Sequence, residues 1–363
     1  MAKKKKSFAA VVLVVLICCA LAFGLSVLLR KMRVQTGLGS ITGLDIPYVE
    51  KLVVLDEGFV CYDGSALIAY NEQAKAKWSY DIGGGVSFTA DTAGVAAWSG
   101  QTLTLIDGSS GNSLYRADLG KPIIGARIGS KYTCVIMGED EFNPTVCLME
   151  NGGRQVNQIE LSGMLVADSG FYSTGSLLWL LNCDTSGSVP SCTVQTYSPG
   201  KSIVGSISDG EQLIYKVLFQ TSQICCVGEK YMRFYDYTGT EDSSKRELVY
   251  GWYLADYDAS QADPLLLFVN DAQYNDGTIQ DIRLMRSNKD KLARLPFPCT
   301  AVYVREDTVY GFASSGYVMT MGLSDTSAEA FQLSIPLDKV YGIMNNGVAV
   351  VNSSGNVYLV GLK

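Results

Sequence analysis

The apolar and polar residues divide the chain into two parts with different patterns. From Phe8 to Leu29 the residues are almost all apolar, and four consecutive lysines, Lys3 to Lys6, precede them. About 20 such residues are what a helix needs to cross a bilayer, where the backbone must satisfy its own hydrogen bonds. The pattern therefore predicts one transmembrane helix over residues 8–29, preceded by a cytoplasmic basic tail of residues 1–7.

The charges beside this apolar run predict its orientation. Short flanks rich in lysine tend to remain in the cytoplasm, whereas long domains are exported with little regard for flanking charge, so Arg30 to Arg33 compete only weakly. We therefore expect a single-pass cell-membrane protein with its N-terminus inside and its C-terminal domain outside. A cleaved signal peptide is the alternative, because Ala20-Leu21-Ala22 has a small-x-small form. The apolar residues that continue to Leu29 favour an uncleaved signal anchor.

After a linker over residues 30–39, the pattern changes to short apolar strands separated by small polar turns. The same hairpin recurs at residues 58–70, 94–106, 307–321 and 347–360, with Asp-Gly, Ser-Gly or Ser-Ser-Gly between the two strands. These turn sequences supply the positive φ angles that tight hairpins require. The hairpins are therefore versions of one repeating unit.

Comparable units fill the rest of the chain, and their spacing predicts the fold. Their first strands are predicted to begin near Lys51, Val86, Ile123, Met164, Gln212, Leu254, Ala301 and Val340. Spacings of roughly 35 to 48 residues are near the period of four-stranded propeller blades. The prediction is an all-β fold, a β-propeller over residues 40–363. Eight blades are favoured, and seven remain open because residues 164–298 diverge.

The last unit has room for only three strands before Lys363. Its fourth strand is predicted to come from Ser40 to Glu50, which would join the two ends of the ring and leave no open edge. A parallel α/β fold is excluded because no amphipathic run of helical length follows residue 33. A β-sandwich is the structural rival, but a chain of this length would have to divide into several sandwiches, and no linker between them is visible.

The composition excludes several classes of catalytic site, metal site and binding partner. The chain has no histidine, which excludes Ser-His-Asp and Cys-His catalysis and zinc sites that contain histidine. Beyond Arg33 there are 22 basic and 36 acidic residues, a net charge of −14, so nucleic acid is not an expected partner. No catalytic, cofactor-binding or metal-binding residue is assigned, and no cofactor is expected.

The end of the second unit carries a motif with a wider resemblance. Asp107-Gly-Ser-Ser-Gly-Asn-Ser-Leu-Tyr115 resembles the repeat of the PQQ-like propellers, with Tyr115 where tryptophan is usual. Residues 69–78, which end in Trp78, look like the same element without its glycine. Quinoprotein dehydrogenases of that fold hold PQQ and calcium at the propeller centre, but no such ligand set can be assigned here. The chain also resembles uncharacterised membrane-anchored envelope propellers of clostridial and related Gram-positive bacteria, a resemblance that implies no activity.

Two pairs of cysteines flank hairpin turns, Cys134 with Cys147 and Cys183 with Cys192. Directly opposed positions on antiparallel strands can approach the separation that a disulfide requires, so both pairs are candidate disulfides in an oxidising exterior. The alternative is that all four are small buried hydrophobic residues with free thiols, and this reading is slightly favoured.

The longest connections between second and third strands are predicted at residues 138–144, 184–191 and 270–281, all on one face of the ring. Asn275-Asp276-Gly277 is interpreted as a hairpin turn, because the spacing of the nearby acids does not fit a calcium loop. Loops on a rigid scaffold commonly carry binding residues. The candidate partner-binding residues are Glu139, Asp140, Phe142, Asp184, Tyr274 and Asp276.

The sequence therefore predicts a non-catalytic, membrane-anchored scaffold or receptor that binds a protein or a cell-wall component. An enzyme is the alternative, either a glycan-active enzyme that uses carboxylates or a quinoprotein-like enzyme with a cofactor at the ring centre.

Overall fold

The computed structural model describes residues 38–362, except 48, 50, 173, 174, 176, 189, 221, 222, 261, 262, 287, 288 and 326. The described chain forms eight four-stranded antiparallel sheets arranged as an eight-bladed β-propeller. The predicted fold and blade number are confirmed, and the alternatives with seven blades or a sandwich are wrong. The predicted membrane helix, the basic tail and most of the linker lie outside the described residues. Within residues 38–362 there is no helix long and apolar enough to cross a membrane.

Strands are numbered along the chain, and the first of them is β1 (Ile41–Pro47). Blade 1 contains β2 (Leu52–Leu55), β3 (Gly58–Tyr62), β4 (Ala66–Asn71) and β5 (Ala76–Asp81). Blade 2 contains β6 (Ser87–Asp91), β7 (Gly94–Ser99), β8 (Thr102–Asp107) and β9 (Ser113–Asp118). Blade 3 contains β10 (Ile123–Ile128), β11 (Tyr132–Met137), β12 (Thr145–Glu150) and β13 (Gln155–Glu160). Blade 4 contains β14 (Leu165–Tyr172), β15 (Leu177–Asp184), β16 (Ser191–Tyr197) and β17 (Ile203–Asp209).

Blade 5 contains β18 (Ile214–Phe219), β19 (Ile224–Gly228), β20 (Tyr231–Tyr235) and β21 (Glu247–Leu248), with a 3-10 turn at Ser243–Lys245. Blade 6 contains β22 (Trp252–Asp258), β23 (Leu265–Asn270), the short helix α1 (Asp271–Asn275), β24 (Ile279–Arg286) and β25 (Lys289–Cys299). Blade 7 contains β26 (Ala301–Arg305), β27 (Thr308–Phe312), β28 (Tyr317–Gly322) and β29 (Glu329–Gln332). Blade 8 contains β30 (Lys339–Ile343), β31 (Val348–Ser353) and β32 (Asn356–Gly361), and β1 is its outermost strand.

The hydrophobic core is divided among the junctions between neighbouring blades. Each of the eight junctions has its own cluster of buried side chains. In β7, Val95 and Ala97 pack toward blade 1, whereas Ala96 packs toward blade 3. Because successive side chains of a strand point to opposite faces, the middle strands are apolar at nearly every position and serve two junctions at once.

Blade 8 closes the ring with strands from the two ends of the described chain. β1 pairs antiparallel with β32, and Ile41 lies opposite Val360. The Tyr341 hydroxyl donates a hydrogen bond to the carbonyl oxygen of Val49, at 2.8 Å, across the junction with blade 1. The predicted closure by residues 40–50 is therefore confirmed, and the sheet of blade 8 is completed without leaving β32 as an edge.

The strand order gives the ring two distinct faces. The turns between first and second strands, and between third and fourth strands, emerge at the end where Ile41 begins, which we call the N-terminal face. The connections between second and third strands, and the crossovers between blades, emerge at the opposite end, which we call the loop face.

The motif around residue 111 joins blade 1 to blade 2. Asp107 Oδ1 accepts hydrogen bonds from Ser109 Oγ (2.6 Å) and from the amide of Ser110 (2.8 Å), and these lower the pKa of Asp107 to about 2. Gly111 adopts a φ of +72° and lies against the buried Trp78 ring. Trp78 Nε1 donates to the carbonyl oxygen of Gly108, at 3.0 Å. The tryptophan is therefore a packing residue between blades.

The corresponding turn of blade 1 has no glycine, and Ala74 adopts a φ of +65° in its place. Because a left-handed backbone is unfavourable for residues with a Cβ, Ala74→Gly is expected to raise the free energy of unfolding by about 0.5 kcal/mol. Urea unfolding of the two proteins would measure the change. The control is Ala76→Gly, at the start of β5, where glycine is expected to be destabilising. A loss of stability in Ala74→Gly would contradict this interpretation.

Candidate functional site

The loop face carries the three connections that were predicted to bind a partner. They lie between β11 and β12, between β15 and β16, and between β23 and β24, and they are longer than the other five connections of this kind. Blades 3, 4 and 6 therefore present the candidate residues on one side of the ring. The candidate partner-binding role of these residues stays a prediction.

In blade 3 the loop is held by one of the candidate residues. Asp140 Oδ1 accepts hydrogen bonds from the amides of Phe142 (2.8 Å) and Asn143 (2.9 Å), so this carboxylate stabilises the turn. The carbonyl oxygen of Phe142 accepts from the amide of Met164, at 2.9 Å, which docks the loop on the crossover to blade 4. The Phe142 side chain is 48 % exposed, and Glu139 is also exposed. Phe142 is therefore a large apolar side chain that is partly exposed on a loop fixed by hydrogen bonds.

In blade 6 the connection differs from the predicted hairpin turn. Residues 271–275 form α1, whose N-terminus is capped by Asn270, and Asp276 is its C-cap residue. The prediction missed this helix because a single helical turn has no apolar period to detect. Tyr274 is 43 % exposed and stacks on Tyr253 with ring centroids 4.5 Å apart, so one side of its ring is available on the loop face.

In blade 4 the loop begins at Asp184, which caps it locally. Asp184 Oδ1 accepts from Ser186 Oγ (2.6 Å) and from the amide of Ser186 (2.9 Å), and these hydrogen bonds lower the pKa of Asp184. This carboxylate therefore accepts hydrogen bonds from its own turn, as the carboxylate of Asp140 does in blade 3.

The two cysteine pairs differ in register. Cys183 lies directly opposite Cys192, as the candidate disulfide required. Cys134 lies opposite Leu148, whereas Cys147 lies opposite Val135. Because adjacent positions of a strand point to opposite faces, Cys134 packs toward blade 4 and Cys147 toward blade 2. This register excludes a bond between Cys134 and Cys147, and the hypothesis of a disulfide there is wrong.

A cavity of the described ring opens at the centre of the N-terminal face, on the side opposite the candidate loops. It has a volume of about 580 Å³ and is lined by the inner strands of blades 2 to 6. Its polar lining includes Thr89, Arg127, Asp168, Lys216 and Tyr257. Lys216 Nζ lies 5.2 Å from the centroid of the Tyr257 ring, a cation–π distance.

Most polar side chains on or beside the inner strands join one blade to the next. The bonds, in order around the ring, are Lys51 Nζ to Val86 O (2.8 Å), Thr89 Oγ1 to Ala126 O (2.6 Å), Arg127 Nη2 to Asp168 Oδ1 (3.5 Å), Leu254 N to Tyr215 Oη (3.0 Å), Arg305 Nη1 to Asp256 Oδ2 (2.8 Å), Tyr303 Oη to Val340 O (2.9 Å) and Tyr341 Oη to Val49 O (2.8 Å). At the remaining junction, between blades 4 and 5, Tyr172 stacks on Phe219 with centroids 4.8 Å apart. These side chains therefore hold the ring together.

Two carboxylates of the inner strands are paired with arginine. Asp168 pairs with Arg127, and Asp256 pairs with Arg305 while also accepting from the amide of Val304, at 2.9 Å. Burial raises the pKa of Asp256, and the charge of Arg305 opposes this rise. The described residues contain no group of three or more Asp, Glu or Cys side chains that could hold a metal ion. The arrangement is suited to holding strands in place.

The tyrosines of the inner strands were not among the predicted site residues. Tyr215, Tyr253, Tyr303 and Tyr341 occupy the beginnings of four consecutive inner strands. Their recurrence near the start of units 5 to 8 was the available signal, because a side chain repeated at one position of a repeat faces the same neighbour each time.

Comparison with known proteins agrees with the fold. No protein-family profile matches the chain, and no curated protein is similar to it in sequence. Among solved structures, the chain is similar to the C-terminal WD40 domain of Sif2, with a TM-score of 0.62 and 10 % identity over 90 % of this chain and 99 % of that one. It is also similar to BamB from Moraxella catarrhalis, with a TM-score of 0.55 and 12 % identity over 89 % of this chain and 98 % of that one.

The computationally designed protein Ika8 is a third similar structure, with a TM-score of 0.57 and 11 % identity over 88 % of this chain and 98 % of that one. At these identities the similarities establish the propeller fold alone. The resemblance to PQQ-like propellers is therefore supported as a fold and goes no further.

Proposed function

We propose that this chain is a membrane-anchored propeller that binds a protein or cell-wall partner outside the cell and catalyses no reaction. The observation that carries the proposal is that the polar side chains of the inner strands bind to the neighbouring blade. They are engaged with the neighbouring blade at seven of the eight junctions, whereas an enzyme keeps such groups free and directed toward a substrate.

The loop face supports a binding role. Phe142 and Tyr274 are each between 40 and 50 % exposed on loops that are fixed by capping hydrogen bonds, and exposed aromatic side chains are frequent anchors of protein interfaces. The loop face also lies at the opposite end of the ring from Ile41, where the N-terminal segment joins the propeller. An N-terminal anchor in the membrane would leave this face accessible to a partner.

The orientation follows from the charges described above. We propose that the apolar run over residues 8–29 crosses the cell membrane with its lysine-rich end in the cytoplasm. The propeller would then face the cell envelope, and its partner would be an envelope protein or a wall polymer.

Site-specific photocrosslinking in intact cells would test the binding proposal. A photoreactive amino acid placed at Phe142 or at Tyr274 is expected to give discrete adducts of the full-length protein. The matched control is Leu114, which is 39 % exposed on the outer strand of blade 2, away from the loops. Adducts at Leu114 alone, or the same scattered products at all three positions, would contradict the proposal.

A further inference from the structure

Two buried cysteines of blade 4 lie closer together than any role in simple packing requires. Cys183 of β15 and Cys192 of β16 are directly opposed, and their Sγ atoms are 2.7 Å apart. Directly opposed residues of antiparallel strands have Cα atoms about 4.5 or 5.5 Å apart, and both values fall within the range of about 4.4–6.8 Å found for disulfides. A bond therefore requires the sulfur atoms to move less than about 1 Å, to about 2.05 Å.

The surroundings of the two sulfur atoms are unlike each other. Cys192 Sγ accepts a hydrogen bond from the amide of Ile214, on the inner strand of blade 5, at 3.3 Å. The hydrogen bond from Cys183 and this amide both stabilise the thiolate form of Cys192 and lower its pKa, whereas the same bond between the sulfurs and burial raise the pKa of Cys183. By contrast, burial raises the pKa of Cys61 and of Cys299 to about 12 each. Cys192 is therefore the thiol of this pair that loses its proton first.

We propose that Cys183 and Cys192 form a reversible cross-strand disulfide that fixes the base of the loop between β15 and β16. This loop is one of the three long connections of the loop face. The inference does not depend on the identity of any partner. It requires an oxidising exterior, which the proposed location outside the cell would provide.

The oxidant is a low-molecular-weight disulfide, and the exchange balances in two steps. The Cys192 thiolate attacks one sulfur of the small disulfide, which forms a mixed disulfide and releases one thiolate. Cys183 then loses its proton and attacks the Cys192 sulfur, which releases the second thiolate. Overall, two protein thiols lose two electrons and two protons, and the small disulfide becomes two thiols.

Burial controls the rate of this exchange. Cys183 is 1 % exposed and Cys192 is fully buried, so a reagent reaches them only during folding or when the hairpin end opens. The assay should therefore begin with protein that has folded in the cell. The full-length protein is taken from cells, its free thiols are alkylated at once under denaturing conditions, and it is then cut by an endoproteinase specific for aspartate.

Cleavage before Asp184 separates the two cysteines into peptides 168–183 and 184–208, each with one cysteine. The expected result is one linked species of the two peptides, which a reductant converts into two separate peptides. Peptides that contain Cys134 and Cys147 are expected to be alkylated in the same sample. Full alkylation of Cys183 and Cys192, both in the extracted protein and after the reduced, unfolded protein has been refolded with oxidised glutathione, would overturn the proposal.

A stability measurement distinguishes the Cys183–Cys192 disulfide from other possible disulfides of the chain. Reduction is expected to lower the thermal midpoint of the wild-type protein by about 3–5 °C and to leave that of the variant Cys183→Ser/Cys192→Ser unchanged. Cys226 lies in the same hydrophobic cluster. A linked species that joins Cys192 to Cys226 would also overturn the proposal. Failure of the crosslinking at Phe142 and Tyr274 would leave this disulfide unaffected, so the two proposals fail separately.

Discussion

Arg233→Met is expected to lower the free energy of unfolding by about 3–5 kcal/mol, because it leaves a buried carboxylate without its counter-charge. The Arg233 side chain is 6 % exposed and its Nη1 lies 3.3 Å from Oδ2 of Asp209, whose side chain is fully buried. Asp209 also accepts from Gln212 Nε2 and from the amide of Glu211, both at 2.9 Å. These neutral donors remain in the variant, but the positive charge is lost.

A second substitution tests this explanation. Adding Asp209→Asn to Arg233→Met also removes the buried negative charge and leaves Glu211 and Glu241, which Arg233 also contacts and which are more exposed. The double variant is expected to recover at least about 1 kcal/mol.

The control is Arg154→Met, since Arg154 is 71 % exposed in its pair with Glu150, and this variant is expected to unfold at nearly the wild-type denaturant concentration. Urea unfolding followed by fluorescence would compare all four proteins. No recovery in the double variant would show that packing, and not charge, dominates at this site.

Gly111→Ala is expected to lower the free energy of unfolding by about 3 kcal/mol. A Cβ at residue 111 would lie 2.5 Å from both Cβ and Cγ of Trp78, and the φ of +72° disfavours any side chain. The strain of the left-handed backbone contributes about 1 kcal/mol, and overpacking against a fixed ring contributes about 1–3 kcal/mol. The ring has little freedom to move, because Trp78 Nε1 is bonded to the carbonyl oxygen of Gly108.

Gly120 provides the matched control for this variant. Its φ is +77°, and no heavy atom lies within 4 Å of the position of an added Cβ. Gly120→Ala therefore reports the backbone strain alone, about 1 kcal/mol. The difference between the two variants in urea unfolding measures the contact with Trp78. Equal losses would show that residue 111 does not depend on packing between blades 1 and 2.

The repeat made most of the fold predictable. Each inner strand begins within two residues of its predicted start. The inner strands of blades 3 and 7 begin at the predicted residues themselves, Ile123 and Ala301. This accuracy follows from the turn residues and the alternating apolar pattern, which are both local signals. The closure by β1 was predictable as well, since a last unit with three strands requires a fourth from elsewhere.

The predictions that were wrong or missing concern contacts that depend on strand register or on a neighbouring blade. A shift of one residue separates a directly opposed pair such as Cys183 and Cys192 from a pair on opposite faces such as Cys134 and Cys147, and the sequence of a hairpin does not fix that shift. The bonds between inner strands were missed for a related reason. The partner of Tyr341, for example, is a carbonyl oxygen near the opposite end of the chain.

The pairing of β1 with β32 has a consequence for biosynthesis. The ribosome makes Ile41–Pro47 before any other strand of the propeller, whereas Asn356–Gly361, to which it must pair, is made last. Blades 1 to 7 can assemble as they emerge, but the sheet of blade 8 cannot be completed until Asn356–Gly361 has been made. A premature stop codon before Asn356 would therefore delete an internal strand of blade 8 and leave the ring open between β31 and β1.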